Sequence, residues 1–333
     1  MICNGDIERP LKIEIFDFEK DGKHNSLGVS STTVKELLDS NGAGIEIIDE
    51  QMKIKKGSSY KNSGTLFATH CYIERHPTFG QYVCGGLELH MMIAIDYTSS
   101  NGNVTDPSSL HYVSSNKANA YQNIISSIGQ VITEYDHDNK FPVYGFGAKV
   151  KLPPPENGYS PTQHCFPIYG DGVEVDGVNG ILDAYKDALK NVSLAGPTLF
   201  APCIRKAQEY AKNLNCSQHN QKYQILLIIT DGEINDMDAT ITAIIDASRD
   251  PLSIIIIGVG TADFSSMHLL DSDGKLLSNG RSQAARDIVQ FVPYNKFASA
   301  GAITLAQEVL AEIPVQVIRY MEKKEIIPNI IHE

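Results

Sequence analysis

Two apolar runs without alternation place the strongest constraint on the fold of this chain. Residues 225–229 and 254–257 consist only of isoleucine and leucine, whereas a strand with one face in water would alternate apolar and polar positions. Both faces of each strand must therefore be covered, as in parallel sheets whose strands are connected by helices. Neither run approaches the roughly 18 residues that a membrane-spanning helix requires.

Apolar strands alternate with amphipathic helices from residue 87 onward, which predicts a doubly wound, mainly parallel sheet with helices on both faces. We predict strands at residues 87–95, 142–146, 224–230 and 252–259. We predict helices near residues 116–136, 176–191, 198–214, 236–248 and 303–323. Pro314 lies inside the last of these segments and should kink or break it, because proline has no amide hydrogen to donate.

The residues before position 87 have a different sequence pattern. Residues 11–15 alternate apolar and polar side chains, and residues 64–73 are rich in strand-forming residues. Between them, Thr33 and Glu36 have the spacing of a capping box before a short helical turn. We therefore expect two domains, a β-rich one with loops at residues 1–80 and an α/β domain at residues 81–333.

Charge and cysteine usage narrow the class of protein. The formal net charge of -12 provides no basic field for nucleic acid, and contact with an anionic membrane would need a local basic patch or a bridging cation. The six cysteines contain no C-x-x-C pair, and no N-terminal signal segment precedes them. Reduced thiols in a cytoplasmic protein are the expectation.

Polar side chains follow two of the predicted central strands. Asp96, Thr98 and Ser100 come directly after the first, Asp231 follows the strand at 224–230, and Thr198 precedes a helix. Ligands bind at the carboxyl edge of open α/β sheets, and hard oxygen donors suit octahedral Mg²⁺ or Mn²⁺. The alternative is structural, with the aspartates capping helices and Thr198 serving as an N-cap.

Several motifs, in order along residues 87–323, resemble the von Willebrand A-type domain of copines. They are Ile-Asp-Tyr-Thr-Ser-Ser-Asn-Gly at 95–102, Ser-Leu-His-Tyr at 109–112, Phe-Pro-Val-Tyr-Gly-Phe-Gly at 141–147, Gly-Pro-Thr at 196–198, Ile-Thr-Asp-Gly-Glu-Ile at 229–234, Gly-Val-Gly-Thr-Ala-Asp-Phe at 258–264 and Arg-Asp-Ile-Val-Gln-Phe-Val-Pro at 286–293.

The resemblance implies a Rossmann-like A-type fold with a metal-ion-dependent adhesion site. The implied ligands of Mg²⁺ or Mn²⁺ are Asp96, Thr98, Ser100, Thr198 and Asp231. It also implies a protein partner that offers an acidic side chain to the metal, with no role in binding nucleic acid.

Residues 16–28 are a candidate calcium-binding loop. They fail as an EF-hand because Gly28 occupies the twelfth position, where a bidentate glutamate is needed. They resemble instead the third loop of a C2 domain, with candidate ligands Asp17, Glu19, Asp21 and Asn25. The family pattern has aspartate where this chain has Glu19 and Asn25.

Residues 4–10 and 61–65 resemble other parts of the second C2 domain of copines, so we expect an incomplete all-β C2 domain at the start of the chain. The resemblance implies Ca²⁺-dependent binding to anionic phospholipid, recruitment from the cytoplasm to the plasma membrane, and roles in membrane trafficking and signalling. A basic cluster is the candidate lipid contact, or alternatively a solvated strand face or loop: Lys53, Lys55, Lys56 and Lys61.

The expected function is therefore binding rather than catalysis. Residues 258–263 have Asp263 in place of the third glycine of a dinucleotide fingerprint, and no P-loop, G-x-S-x-G or H-E-x-x-H motif occurs. One alternative is a partner-binding A domain with no lipid binding of its own. Another is a ubiquitin ligase of the kind that joins a copine-like A domain to a RING, but the last cysteine is Cys216.

Overall fold

In the computed structural model, which describes residues 5–20, 22–40, 42–169, 174–271, 275–297 and 300–330, the chain divides into two compact units. They are Met1–His76 and Pro77–Glu333. The predicted boundary after residue 80 falls just beyond this division.

Within its described residues, the first unit contains two antiparallel strand pairs and two short α-helices. Its elements are β1 (Leu11–Asp17), β2 (Asn25–Thr32), α1 (Val34–Asp39), β3 (Gly44–Ile47), α2 (Glu50–Lys56) and β4 (Gly64–Phe67). β1 pairs with β2, and β3 pairs with β4. The predicted capping box is confirmed, because Thr33 Oγ1 accepts from the Glu36 amide and Glu36 Oε2 accepts from the Thr33 amide, each over 3.0 Å.

Two expectations for this unit need correction. The predicted β-rich run at 64–73 forms a strand only over Gly64–Phe67. The basic cluster lies mostly on α2 rather than on a strand face or loop. Asp49 explains the helix, since its Oδ1 accepts from the amides of Gln51 and Met52 and caps the first turn.

The second unit is the α/β domain. Its first half contains α3 (Phe79–Cys84), β5 (Glu88–Asp96), α4 (Ala120–Ile132), β6 (Lys140–Phe146), β7 (Ala148–Lys151), β8 (Tyr159–Gln163), β9 (Phe166–Pro167), β10 (Glu174–Asp176), α5 (Gly177–Asn191) and β11 (Val192–Leu194). Its second half contains α6 (Ala201–Asn213), β12 (Lys222–Thr230), α7 (Met237–Ala247), β13 (Leu252–Gly258), α8 (Ser265–Leu270), β14 (Val289–Pro293), α9 (Ala302–Val309) and α10 (Ile313–Lys323).

The central sheet has the order β10-β6-β5-β12-β13-β14, with β9 also paired to β6. Every pairing from β6 through β14 along this path is parallel, and only β9 and β10 run antiparallel to β6. β5 and β12 are central neighbours, so their carboxyl ends meet at one edge. The predicted doubly wound, mainly parallel α/β fold is confirmed.

Helices cover both faces of this sheet, as the apolar runs require. Along β5, Met91, Ile93 and Ile95 belong to the core beneath α4, α5 and α10. Met92 and Ala94, at the alternate positions, belong to the core beneath α6 and α7. The strand is therefore buried on both sides up to Asp96, whose side chain is fully buried at the sheet edge.

The four predicted strands and five helical segments are all present, with shorter helix ends. The segment at 303–323 forms two helices, because Pro314 stands in the first turn of α10 instead of inside one long helix. β14 and the small sheet β11-β7-β8 were not predicted. Among the described helices, none combines the length and apolar character needed to cross a bilayer.

Candidate metal-binding site

Asp96 is the centre of the site, at the last position of β5. Its side chain is completely buried, and both carboxylate oxygens accept hydrogen bonds. Oδ1 accepts from the Thr98 amide over 2.8 Å and from Thr98 Oγ1 over 2.6 Å. Oδ2 accepts from Thr230 Oγ1 over 2.5 Å. The carboxylate is therefore fixed by its own loop and by the neighbouring strand.

A chain of hydroxyl groups continues from Asp96 to a second carboxylate. Thr98 Oγ1 lies 2.9 Å from Ser100 Oγ, and Ser100 Oγ donates to Asp231 Oδ1 over 2.9 Å. Asp231 directly follows the end of β12. Four of the five predicted residues thus form one continuous cluster of oxygen atoms at the carboxyl edge of the sheet.

Thr198 lies beside this cluster, on a third loop. A Cβ placed on Gly232 would lie 3.7 Å from Ser100 Oγ and 3.8 Å from Thr198 Oγ1, so both hydroxyls border the same glycine. Asn235 holds Thr198 through two hydrogen bonds. Its side-chain Oδ1 accepts from the Thr198 backbone amide over 2.8 Å, and its backbone amide donates to the Thr198 carbonyl. Asp236 caps α6 beside it by accepting from the Phe200 and Ala201 amides.

The two carboxylates are poorly compensated by the chain itself. Within the described residues, no lysine, arginine or histidine forms an ion pair with Asp96 or Asp231. Burial raises the pKa of Asp96, against the lowering effect of its hydrogen bonds from Thr230 and Thr98. Burial, and then the negative charge of Asp96, raises the pKa of Asp231 to about 7. The site concentrates negative charge that a cation would neutralise.

His111 forms a hydrogen bond with the backbone of Asp96. Its Nε2 lies 2.7 Å from the Asp96 carbonyl oxygen and its Nδ1 lies 2.8 Å from Tyr185 Oη. A carbonyl only accepts, so Nε2 carries the proton and Nδ1 accepts from Tyr185, which in turn accepts from Asn119 Nδ2. Burial lowers the pKa of His111 to about 4, so the ring is neutral at physiological pH.

The donor set fits a hard divalent cation. Two carboxylates and three hydroxyls are oxygen ligands, which are the donors that Mg²⁺ and Mn²⁺ prefer. The open coordination positions would take water or an acidic side chain from another molecule. The structural alternative, in which the aspartates cap helices, does not describe these side chains, since Asp96 and Asp231 bond to hydroxyls of other loops and strands. Their role as metal ligands stays a prediction.

The candidate calcium loop is less organised in the described residues. Asp17 and Asn25 are paired across β1 and β2, and the Glu19 amide donates to His24 Nδ1 over 3.2 Å. Asp21 lies outside the described residues. In the part of the chain that the structure describes, the group of three or more acidic, histidine or cysteine donors within 4.8 Å of one another lies elsewhere, at His90, Asp136 and Asp138.

Three residues that hold the site were not identified from the sequence: Thr230, Asn235 and His111 as a support of Asp96. Thr230 had a signal, because it immediately precedes Asp231 in the quoted motif. His111 also lies in a quoted motif, Ser-Leu-His-Tyr at 109–112. Its complete burial follows from its stacking between Tyr97 and Tyr121, with ring centroids 5.3 and 4.3 Å away.

Comparisons with known proteins identify relatives of this chain. A family model described as Copine matches residues 109–329. Copine-A of Dictyostelium discoideum is 44% identical over 330 residues, which cover 98% of this chain and 53% of that protein. The chain thus spans about half the length of that curated relative.

Two solved structures show a weaker likeness. The manganese-loaded TRAP protein of Plasmodium vivax is 12% identical, over 66% of this chain and 72% of that chain, with a TM-score of 0.40. Proximal thread matrix protein 1 from the mussel byssus, with a zinc-occupied MIDAS motif, is 14% identical over 67% of this chain and 46% of that chain, with a TM-score of 0.36.

Proposed function

This chain belongs to the copine family; we propose that its α/β domain is of the von Willebrand A type and binds protein partners through a divalent cation. The proposed ligands are Asp96, Thr98, Ser100, Thr198 and Asp231. The observation that carries the proposal is the buried, uncompensated pair Asp96 and Asp231, joined through two hydroxyls at one sheet edge. Mg²⁺ or Mn²⁺ is the proposed cation.

The residues of the chain set what the bound cation can do. Thr98 and Thr230 orient the Asp96 carboxylate, and Ser100 orients Asp231. The cation would supply a positive charge able to attract an acidic side chain of a partner protein, which fills a remaining coordination position. The partner's identity would then depend on the loops around the edge. No general base or nucleophile is assigned, so the proposed role is binding and not catalysis.

Calorimetric titration of metal-free protein with Mg²⁺, Mn²⁺ and Ca²⁺ tests this proposal. We expect Mg²⁺ or Mn²⁺ binding that Asp96→Ala abolishes. Asp263→Ala is the matched control. Asp263 is an exposed acid after β13 that lies outside the cluster, and its Oδ1 accepts hydrogen bonds from the Ser265 amide and hydroxyl. Retention of full affinity in Asp96→Ala would exclude this residue assignment.

We further propose that the first unit is the C2 part of a copine and contributes Ca²⁺-dependent contact with anionic phospholipid, through the loop after β1 and the lysines near α2. In that case the protein is cytoplasmic and moves to the plasma membrane when Ca²⁺ rises. The three lysines of α2 and Lys61 support this idea with local positive charge on an acidic chain, although Lys53 also pairs with Glu50 over 3.4 Å.

Sedimentation with phosphatidylserine-containing vesicles, with and without Ca²⁺, separates the two proposals. Cosedimentation only with Ca²⁺, weakened by Lys55→Glu/Lys56→Glu, supports the lipid contact. Metal binding at Asp96 without cosedimentation would instead favour the alternative of an A domain that recruits partners and has no lipid binding of its own. An A-domain ubiquitin ligase stays a third alternative that would require a RING module.

A further inference from the structure

A second group of metal-ligating side chains lies at the opposite end of the sheet. His90 is near the start of β5, and Asp136 and Asp138 are in the turn between α4 and β6. One donor atom from each lies within 4.8 Å of the other two. Asp96 is six residues further along the same strand, about 20 Å away. This group is therefore separate from the site described above.

Asp136 has a carboxylate oxygen that is buried without a partner. Its side chain has 0% exposure, and Oδ2 accepts no hydrogen bond. Its Oδ1 accepts a long bond of 3.4 Å from the Asp138 amide and lies 3.8 Å from His90 Nδ1. A buried carboxylate oxygen without a donor costs free energy unless a proton or a cation compensates it.

Among the residues that the structure describes, no lysine or arginine forms an ion pair with Asp136 or Asp138. Lys222 is the nearby lysine, and its Nζ pairs with Glu88 Oε2 over 2.9 Å. Burial and then Lys222 lower the pKa of His90. Burial and then Asp138 raise the pKa of Asp136 to about 7, as expected for two acids that share one site.

The orientation of His90 suits a ligand. Its Nδ1 faces Asp136, while its Nε2 faces Glu88 Oε2 at 3.5 Å. With the proton on Nε2, on the side of Glu88, Nδ1 could coordinate an ion beside Asp136. Nε2 has no hydrogen-bond partner among the described residues, and a closer approach of Glu88 would give the carboxylate–histidine–metal arrangement common around metal sites. With metal–ligand bonds of about 2.1 Å, the donor atoms of a tetrahedral site lie about 3.4 Å from one another. Small side-chain rotations would bring the three donor atoms to that spacing.

We propose that His90, Asp136 and Asp138 bind a divalent transition-metal ion, with Zn²⁺ as the probe and water in the remaining position. One imidazole with two carboxylates favours this class over Mg²⁺, which prefers oxygen ligands alone. The bound ion would join the start of β5 to the turn that leads into β6. Its expected effect is therefore on stability, independent of partner binding at the other edge.

Zn²⁺ titration of the Asp96→Ala protein tests the proposal without interference from the first site. We expect one equivalent to bind and to raise the melting temperature. Asp136→Asn should weaken that binding at least tenfold, and His90→Gln should do the same. His137→Gln is the matched control, since His137 is adjacent but 76% exposed and lies 3.8 Å from Glu88.

Co²⁺ provides a second readout, because its visible absorption reports ligand type and geometry. Loss of the Co²⁺ bands in Asp136→Asn, but not in His137→Gln, would support the site, and Asp138→Asn serves if Asp136→Asn does not fold. No Zn²⁺ binding by the Asp96→Ala protein would overturn the proposal, leaving Asp136 and Asp138 as acids that share a proton. Unchanged affinity in both Asp136→Asn and His90→Gln would also overturn it.

Discussion

Thr230 Oγ1 donates a 2.5 Å hydrogen bond to Asp96 Oδ2, and this bond joins the ends of two adjacent parallel strands. Both side chains are completely buried. Because Thr98 occupies the other carboxylate oxygen, Asp96 is held from its own loop and from the neighbouring strand. The geometry of the proposed ligand is thus built into the sheet.

Thr230→Val tests the importance of this bond. Valine has nearly the same shape but cannot donate, so Asp96 Oδ2 loses its strong partner in a buried position. We expect a loss of about 1–3 kcal/mol in unfolding free energy, together with weaker Mg²⁺ or Mn²⁺ binding. Urea unfolding and calorimetry would measure the two effects.

Ser248→Ala is the control for Thr230→Val. Ser248 is also buried, and its hydroxyl bonds the Ile245 carbonyl and the Ala285 amide at the other end of the domain. The Ser248→Ala protein should be less stable than the parent protein and should keep its metal affinity. Equal metal affinity in Thr230→Val and the parent protein would show that Asp96 needs no support from β12.

Asp231 should make the metal-free protein less stable as pH rises. Its pKa is raised from 3.8 to about 7, so the folded state keeps a proton that the unfolded chain has released. The contribution of this group is therefore most favourable below about pH 4 and is lost as pH rises to about 7. Metal affinity should rise over the same range, because a cation binds the deprotonated carboxylate.

Asp231→Asn isolates this effect. The amide oxygen can still accept from Ser100, while the buried negative charge beside Asp96 is removed. We expect the metal-free variant to be more stable near neutral pH, by on the order of 1 kcal/mol, and to bind metal poorly. Urea midpoints of the two proteins from pH 4 to pH 8 would measure this difference; parallel curves would contradict the assignment.

Much of the second unit could be predicted from the sequence because its signals are local. The runs at 225–229 and 254–257 have no polar position, so burial of β12 and β13 on both faces follows from composition alone. The same holds for Pro314, whose missing amide hydrogen breaks the last helical segment. β14 was missed because Val-Gln-Phe-Val-Pro is short and contains a glutamine, and its pairing with β13 is set by tertiary contacts.

The candidate metal site could likewise be predicted only in part. Asp96 and Asp231 could be placed at one edge because parallel strands bring their carboxyl ends together. The hydrogen-bond partners could not be predicted, since Thr230 and Asp96 are far apart in sequence and their contact depends on the register of β12 against β5. His90, Asp136 and Asp138 gave no motif, because their grouping depends on where the turn after α4 meets β5.

His111 should make the protein sensitive to acid. Its pKa is lowered from 6.5 to about 4, so the unfolded chain takes up a proton that the folded state refuses. The stability that it contributes is present above about pH 6.5 and is lost as pH falls toward 4, by about 3 kcal/mol from the size of the shift. Asp231 acts in the opposite direction, so the effect must be measured as a difference between variants.

His111→Gln provides that difference. Glutamine can donate to the Asp96 carbonyl and accept from Tyr185, but it does not titrate. Between pH 6.5 and pH 4, the unfolding free energy of the parent protein should fall relative to that of the variant. A constant difference across this range would mean that His111 is not held neutral by burial.

Gly147 should be required for the position of Thr98. It has a φ of +77°, and a Cβ there would lie 2.2 Å from Thr98 Cγ2 and 3.3 Å from the Thr98 amide nitrogen. Gly147→Ala therefore combines backbone strain of about 1–2 kcal/mol with a clash against a proposed metal ligand. We expect lower stability and a clear loss of Mg²⁺ or Mn²⁺ affinity.

Gly177→Ala separates the two causes. Gly177 also has a positive φ, +62°, but a Cβ there meets nothing within 4 Å. It should show the backbone strain alone, with unchanged metal affinity, because Gly177 begins α5 away from Thr98. If both variants lose stability equally and both keep full metal affinity, Thr98 does not depend on the space beside Gly147, and its role as a ligand would lose this support.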